Sequence, residues 1–196
     1  MAMWSQVVTG CEDSGVKYMQ YRHLGKSGLE VSVIGLGTNN FGGRMDFKES
    51  REVINASIDE GVNFIDTANI YSHGKSEEII GRALAGRRED VLIATKFGEL
   101  WESGPHGKGG SRKHVMDCLT GSLRRLQTDY VDLYQVHCQD TKTPIEETLH
   151  ALDDAVRQGK VRYIGLSNFD PWRIADAQWS AKHNGFTQFI SSQPEY

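Results

Sequence analysis

Cysteine is scarce: Cys11, Cys118 and Cys138 are the three in 196 residues, odd in number and far apart in sequence. That excludes a disulfide framework and a CxxC metal or redox site, and a reducing, cytoplasmic setting is expected. Long apolar runs are also missing, with nothing near the roughly 18 residues of a membrane span. The opening MAMWSQVVTGCEDSG has neither the basic nor the apolar region of an export signal. Nor is there an excess of positive charge. Lys and Arg number 22 against 26 Asp and Glu, a formal net charge of -4 with the cations scattered, so neither nucleic acid nor an anionic membrane is an expected partner. Asn55-Ala56-Ser57 fits a glycosylation sequon only by chance, inside an expected helix of a chain without an export signal. What remains is an ordinary globular composition, 38% hydrophobic and 24% charged, sufficient for one substantial core.

Residues 1–18 lack periodicity and read as an unstructured extension, after which MQYRHLGKSGLEVS alternates across a glycine-containing turn as a hairpin does. From there strands and helices alternate. VSVIGLG at 31–37 precedes a helix near 49–60, in which Val53, Ile54, Ser57 and Ile58 share a face and which Gly61 ends. Val62–Asp66 precedes a helix from Ser76, the expected N-cap, to about Ala85. Val91–Lys96 is followed by a glycine-rich loop at 98–111 and a helix carrying Val115, Met116, Leu119, Leu123 and Leu126. Tyr130–His137 leads to Thr143-Pro144-Ile145-Glu146, which reads as N-cap, proline at the first helical position and capping-box glutamate. Val161–Ser167 leads through Asp170-Pro171 into a helix ending near Asn184, and Phe189–Gln193 reads as a sixth strand.

Apolar strands alternating with helices specify an α/β fold with a parallel sheet. Gly35-Leu36-Gly37 lacks the third glycine of a dinucleotide fingerprint, which disfavours a doubly wound sheet. Polar residues close nearly every strand: Asp66, Lys96, His137 and Ser167-Asn168, with Tyr71 just beyond the first. In a (β/α) barrel those ends open on one face, so the expectation is a TIM barrel whose site gathers them. The set suits proton transfer to a carbonyl. A Tyr phenol serves as proton donor once a neighbouring ammonium stabilises the phenolate it leaves; Lys96 is the candidate cation, Asp66 its anchor, and neutral His137 the group that orients the carbonyl oxygen. Gly107-Lys108-Gly109-Gly110 follows no strand directly and reads as a flexible loop on the substrate side; His73, His106 and His114 lack metal spacing. Trp101 is a candidate apolar wall for substrate, whereas Trp172 and Trp179 read as packing residues.

DTANIYSHGKSEEIIG, TKFG, LRRLQTDYVDLYQVH and GKVRYIGLSNF, in that order, resemble the signature segments of the aldo-keto reductases, and the likeness runs from about Met19 to Tyr196. The resemblance implies an NADPH-dependent oxidoreductase that reduces aldehydes or ketones by hydride transfer. Asp66, Tyr71, Lys96 and His137 would be its catalytic tetrad. Ser167, Asn168 and Gln193 would hold the nicotinamide carboxamide, and Gly37-Thr38 would lie beside the ring. A cofactor-binding regulatory subunit, like the channel-associated members of the family, is the alternative. Since a TIM barrel takes about 250 residues, the chain is expected to form a (β/α)8 barrel truncated after the sixth strand, with residues 19–196 as a partial domain. In the family, the aromatic that stacks on the nicotinamide and the basic phosphate clamps come later, so weak NADPH binding and negligible aldehyde reduction are expected of these 196 residues. Self-association through unpaired strand edges is also expected.

Overall fold

The computed structural model describes residues 19–194; the extension expected at 1–18 lies outside them. A two-stranded antiparallel hairpin, β1 (Tyr21–His23) with β2 (Glu30–Ser32), precedes six parallel strands. These are β3 (Leu36–Gly37), β4 (Phe64–Asp66), β5 (Leu92–Phe97), β6 (Val131–Val136), β7 (Val161–Ser167) and β8 (Ser191–Gln193). Helices α1 (Phe47–Asp59), α2 (Lys75–Ala83), α3 (Arg112–Leu126), α4 (Ile145–Arg157) and α5 (Pro171–Asn184) alternate with them. The strand order is the chain order, β3 to β8 without reversal. A doubly wound sheet reverses at a switch point; an unreversed run with a helix after each strand curls instead into the wall of a barrel. β3 and β8 are its edges.

Between strands and helices runs one apolar layer that includes Ile54, Ile65, Ile80, Ile93, Leu119, Leu149 and Ile164, all essentially inaccessible. β5 and β6 are buried almost throughout, as strands covered on both faces must be. α1 begins with a capping box in which Asp46 and Glu49 satisfy each other's backbone N–H groups.

Several expectations need correction. The single strand expected at 31–37 is two: Glu30–Ser32 pairs into the hairpin and only Leu36–Gly37 joins the barrel, with Val33 and Ile34 exposed between them. Ser76 is not an N-cap. Gly74 in left-handed conformation occupies that position, while the Ser76 hydroxyl is buried and donates to Thr38. At α4 the N-cap is Pro144, without a side-chain cap, because the Thr143 hydroxyl donates to Asp140 instead. The eighth strand is shorter than the Phe189–Gln193 run, starting at Ser191. Trp172 and Trp179 do not pack inward: they are 63% and 64% exposed, and α5 buries Ala177, Ser180 and Ala181 on its inner face. The glycine-rich loop is closed by hydrogen bonds, Gly109 N–H to Gly98 and Gly110 N–H to the Asp140 carboxylate, which ties it to the segment before α4. Among the described residues no helix is long and apolar enough to cross a membrane.

Candidate active site

Parallel pairing sets the carboxyl ends of neighbouring strands side by side. Gly37 pairs with Asp66, Lys96 with Gln135, and Ser167 with Gln193. Asp66 closes β4. Five residues on, a 3-10 turn at Tyr71–Gly74 reverses the chain above the sheet, with Ser72 at φ 49° and His73 at φ 52°. Two successive non-glycine residues in the left-handed region cost roughly 1–2 kcal/mol each, strain that the surrounding packing must hold.

Lys96 is 1% exposed, so its ammonium needs acceptors from the protein. It finds both oxygens of Asp66 at 2.7 and 2.6 Å, the Thr67 carbonyl at 3.0 Å and the Tyr71 hydroxyl at 3.4 Å. The Tyr71 and His137 rings meet edge to face, centroids 5.8 Å apart. Asp66, Tyr71, Lys96 and His137 thus come together at one strand end cluster, as the sequence led us to expect. Burial, and then the Lys96 ammonium, hold His137 below the ordinary histidine range, so its imidazole is neutral at neutral pH. Its Nδ1 is buried with no hydrogen-bond partner among the described residues.

On one flank the Ser167 hydroxyl donates to the Gln193 carbonyl at 2.6 Å, and the left-handed Asn168 (φ 55°) donates its amide to the His137 carbonyl and to Ser167, both at 3.1 Å. Gln193 donates to Asp66 at 3.3 Å. On the other flank Thr38 is fully buried and donates its hydroxyl to the Asp66 carbonyl at 2.9 Å, anchoring the backbone that carries the carboxylate. Gly37 beside it faces open space, since a Cβ there would meet nothing within 4 Å. Trp101 lies against α3 and the turn: its ring stacks on the Arg125 guanidinium at 4.8 Å and meets His73 edge-on at 6.0 Å.

Sequence reasoning missed two participants. Gln135, 2% exposed and next to last in β6, donates to Asp66 at 3.3 Å. Its signal was available, since a polar residue two positions before His137 lies on the same strand face. Glu77, in the first turn of α2, is fully buried and accepts from Thr95 at 2.6 Å and from Arg125 at 2.7 Å beneath the Tyr71 turn.

The model of the Aldo/keto reductase family matches residues 33–196. A probable voltage-gated potassium channel subunit beta of Arabidopsis thaliana is 42% identical over 183 residues, covering 91% of this chain and 55% of that protein. The uncharacterized oxidoreductase YrpG of Bacillus subtilis is 42% identical over 189 residues (91% and 58%), and the L-glyceraldehyde 3-phosphate reductase of Escherichia coli O157:H7 is 41% identical over 186 (91% and 53%). Among solved structures, the holo form of aldo-keto reductase AKR11C1 from Bacillus halodurans superposes with a TM-score of 0.81 at 35% identity, over 91% of this chain and 58% of that one. An α/β barrel wall carrying a polar cluster at its strand ends, together with these matches, defines the class as part of an aldo/keto reductase TIM-barrel fold. The chain belongs to the aldo/keto reductase family. It spans a little over half the length of the curated relatives it matches.

Proposed function

We propose that this chain carries the reaction centre of an NADPH-dependent oxidoreductase that reduces aldehydes or ketones to alcohols. The observation that carries the reading is the Lys96 ammonium, clasped by Asp66 and 3.4 Å from the Tyr71 hydroxyl in a nearly dry setting. Such a cation stabilises a phenolate more than a phenol, so Tyr71 is the group suited to give its proton to the carbonyl oxygen. Asp66 fixes the ammonium, and neutral His137, whose ring meets Tyr71 edge to face, orients the oxygen against Tyr71.

The side chains at the ends of β7 and β8 suit a nicotinamide. Ser167, Asn168 and Gln193 offer neutral donors and acceptors that complement a primary amide, and the open space before Gly37 leaves room for a ring. A bound dihydronicotinamide supplies the hydride; Asp66, Tyr71, Lys96 and His137 handle only the proton and the oxygen. A small carbonyl compound is the substrate class, and a cytoplasmic setting agrees with the reduced thiols Cys118 and Cys138.

Reduction of 4-nitrobenzaldehyde at millimolar NADPH, by a full-length version that also carries the later phosphate-binding strands expected of the family, tests the reading. Turnover that Tyr71→Phe removes while NADPH binding persists supports it; wild-type turnover in Tyr71→Phe refutes the acid assignment. The plant relatives favour a second reading, a cofactor-binding subunit of a potassium channel. Saturable NADPH binding without any turnover would support that one. Light scattering on the 196-residue chain reads association through the β3 and β8 edges.

A further inference from the structure

We propose that Gln135 is a positioning residue that locks the proton-handling carboxylate to the carboxamide seat, and that Gly165 exists to let it do so. The proposal rests on the reading of Asp66 and Gln193 given above. Three side chains form a closed triangle: Gln135 Nε2 donates to Asp66 Oδ1 at 3.3 Å and to Gln193 Oε1 at 3.4 Å, and Gln193 Nε2 donates to Asp66 Oδ2 at 3.3 Å. An ionised carboxylate only accepts, so Asp66 dictates which end of each amide faces it, and that in turn leaves the Gln193 oxygen to receive the second Gln135 hydrogen. The two glutamines therefore have one mutually consistent orientation.

Reaching Gln193 is not automatic. Gln135 stands on β6 and Gln193 on β8, with β7 between them and Gly165 directly beside Gln135 in register. Gly165 has no positive φ to explain it. A Cβ there would stand 2.6 Å from Ser191 Oγ and 3.2 Å from Gln135 Cγ and Oε1. The missing side chain is the slot over which Gln135 crosses β7. Within the triangle Asp66 receives two amide donors besides the Lys96 ammonium, so the carboxylate that orients Lys96 and the amide offered to the cofactor move together.

The experiment is 15N-edited NMR of the side-chain amide of Gln193, identified by its loss in Gln193→Glu, together with NADPH titration. In the wild-type chain this amide is expected to show a shift distinct from exposed glutamines. Gln135→Leu should collapse that shift and weaken NADPH binding about tenfold, the scale of losing one or two hydrogen bonds. Gln135→Met keeps the length but carries no N–H donor and should behave like Gln135→Leu, which a packing role would not do. Gly165→Ala should reproduce both effects with Gln135 intact. Wild-type shift and affinity in Gln135→Leu and Gln135→Met would overturn the proposal. If the wild-type chain binds no NADPH, the cofactor reading fails, while the Gln193 amide shift still decides whether Gln135 holds it.

Discussion

The Lys96 ammonium lies 2.7 and 2.6 Å from the two carboxylate oxygens of Asp66, joining β5 to β4 through a pair whose lysine side chain is 2% exposed. Removing one partner of such a pair strands the other, at a cost of about 3–5 kcal/mol, whereas removing both can be nearly neutral. Asp66→Asn is therefore expected to lower stability at neutral pH by about 3 kcal/mol or more. The double variant Asp66→Asn with Lys96→Met should recover most of the loss. Urea unfolding followed by circular dichroism checks both; an Asp66→Asn midpoint equal to wild type would mean that the ammonium finds enough acceptors in Thr67 and Tyr71 alone.

His137 is held below the ordinary value of 6.5, by burial first and the Lys96 ammonium second, and His114 is lowered by burial. Below about pH 6.5 the unfolded chain binds protons that these two folded-state imidazoles refuse. More protons on the unfolded state means that stability falls as pH drops through that range, and that neither group contributes a slope above it. Urea midpoints at about pH 7.5, 6.5 and 5.5 should thus be level and then fall, as the sign of the linkage requires. His114→Gln should remove part of the fall; an unchanged slope would show that His114 contributes none of it.

The barrel class and the four converging residues were legible because both depend on short-range pattern: apolar strands, helices between them, polar residues at strand ends. β7 and α5 came out at their observed limits, Val161–Ser167 and Pro171–Asn184, because Gly159, Asp170-Pro171 and Gly185 punctuate them. What stayed hidden depends on cross-strand register. Gln135 is one of two strongly polar residues in β6, with Asp132, and its part in the site shows only once β7 places Gly165 beside it. Glu77 obeyed the helix-dipole rule and yet serves a buried ion pair 48 residues away in sequence. Trp172 and Trp179 share a helix face, but spacing alone does not say whether that face looks in or out.

That ion pair supplies the third prediction. Arg125 reaches the fully buried Glu77 carboxylate, supports the Trp101 ring, and passes so near Gly74 that a Cβ there would come within 2.6 Å of its Cδ. Arg125→Met keeps the stem and removes the charge, leaving Glu77 with Thr95 as its remaining donor. A loss of about 3–5 kcal/mol is expected, with Glu77→Gln and Arg125→Met together milder than Arg125→Met alone. Because the pair lies under the Tyr71 turn, the Trp101 fluorescence maximum should also shift; stability and emission both unchanged would refute the placement.

The hairpin gives the last. Gly25, in its turn, has φ 61°, and a Cβ on it would overlap the carbonyl oxygen of Ile190 just before β8. The first turn of the described chain thus closes against its last strand, bridging the two ends of the sheet where β3 and β8 lack a common partner. Gly25→Ala faces two penalties at once. The left-handed conformation costs a residue with a Cβ about 1–2 kcal/mol, and relief of the overlap requires the hairpin to move off Ile190. Undocking should expose the amides of β1 and β2 to solvent while β5 and β6, at the centre of the sheet, stay protected. Hydrogen exchange on Gly25→Ala is expected to show faster exchange confined to 21–32 and to the backbone around Ile190, with a drop of about 2 kcal/mol in global stability. Uniformly faster exchange across the strands would mean instead that the hairpin is an integral part of the cooperative core.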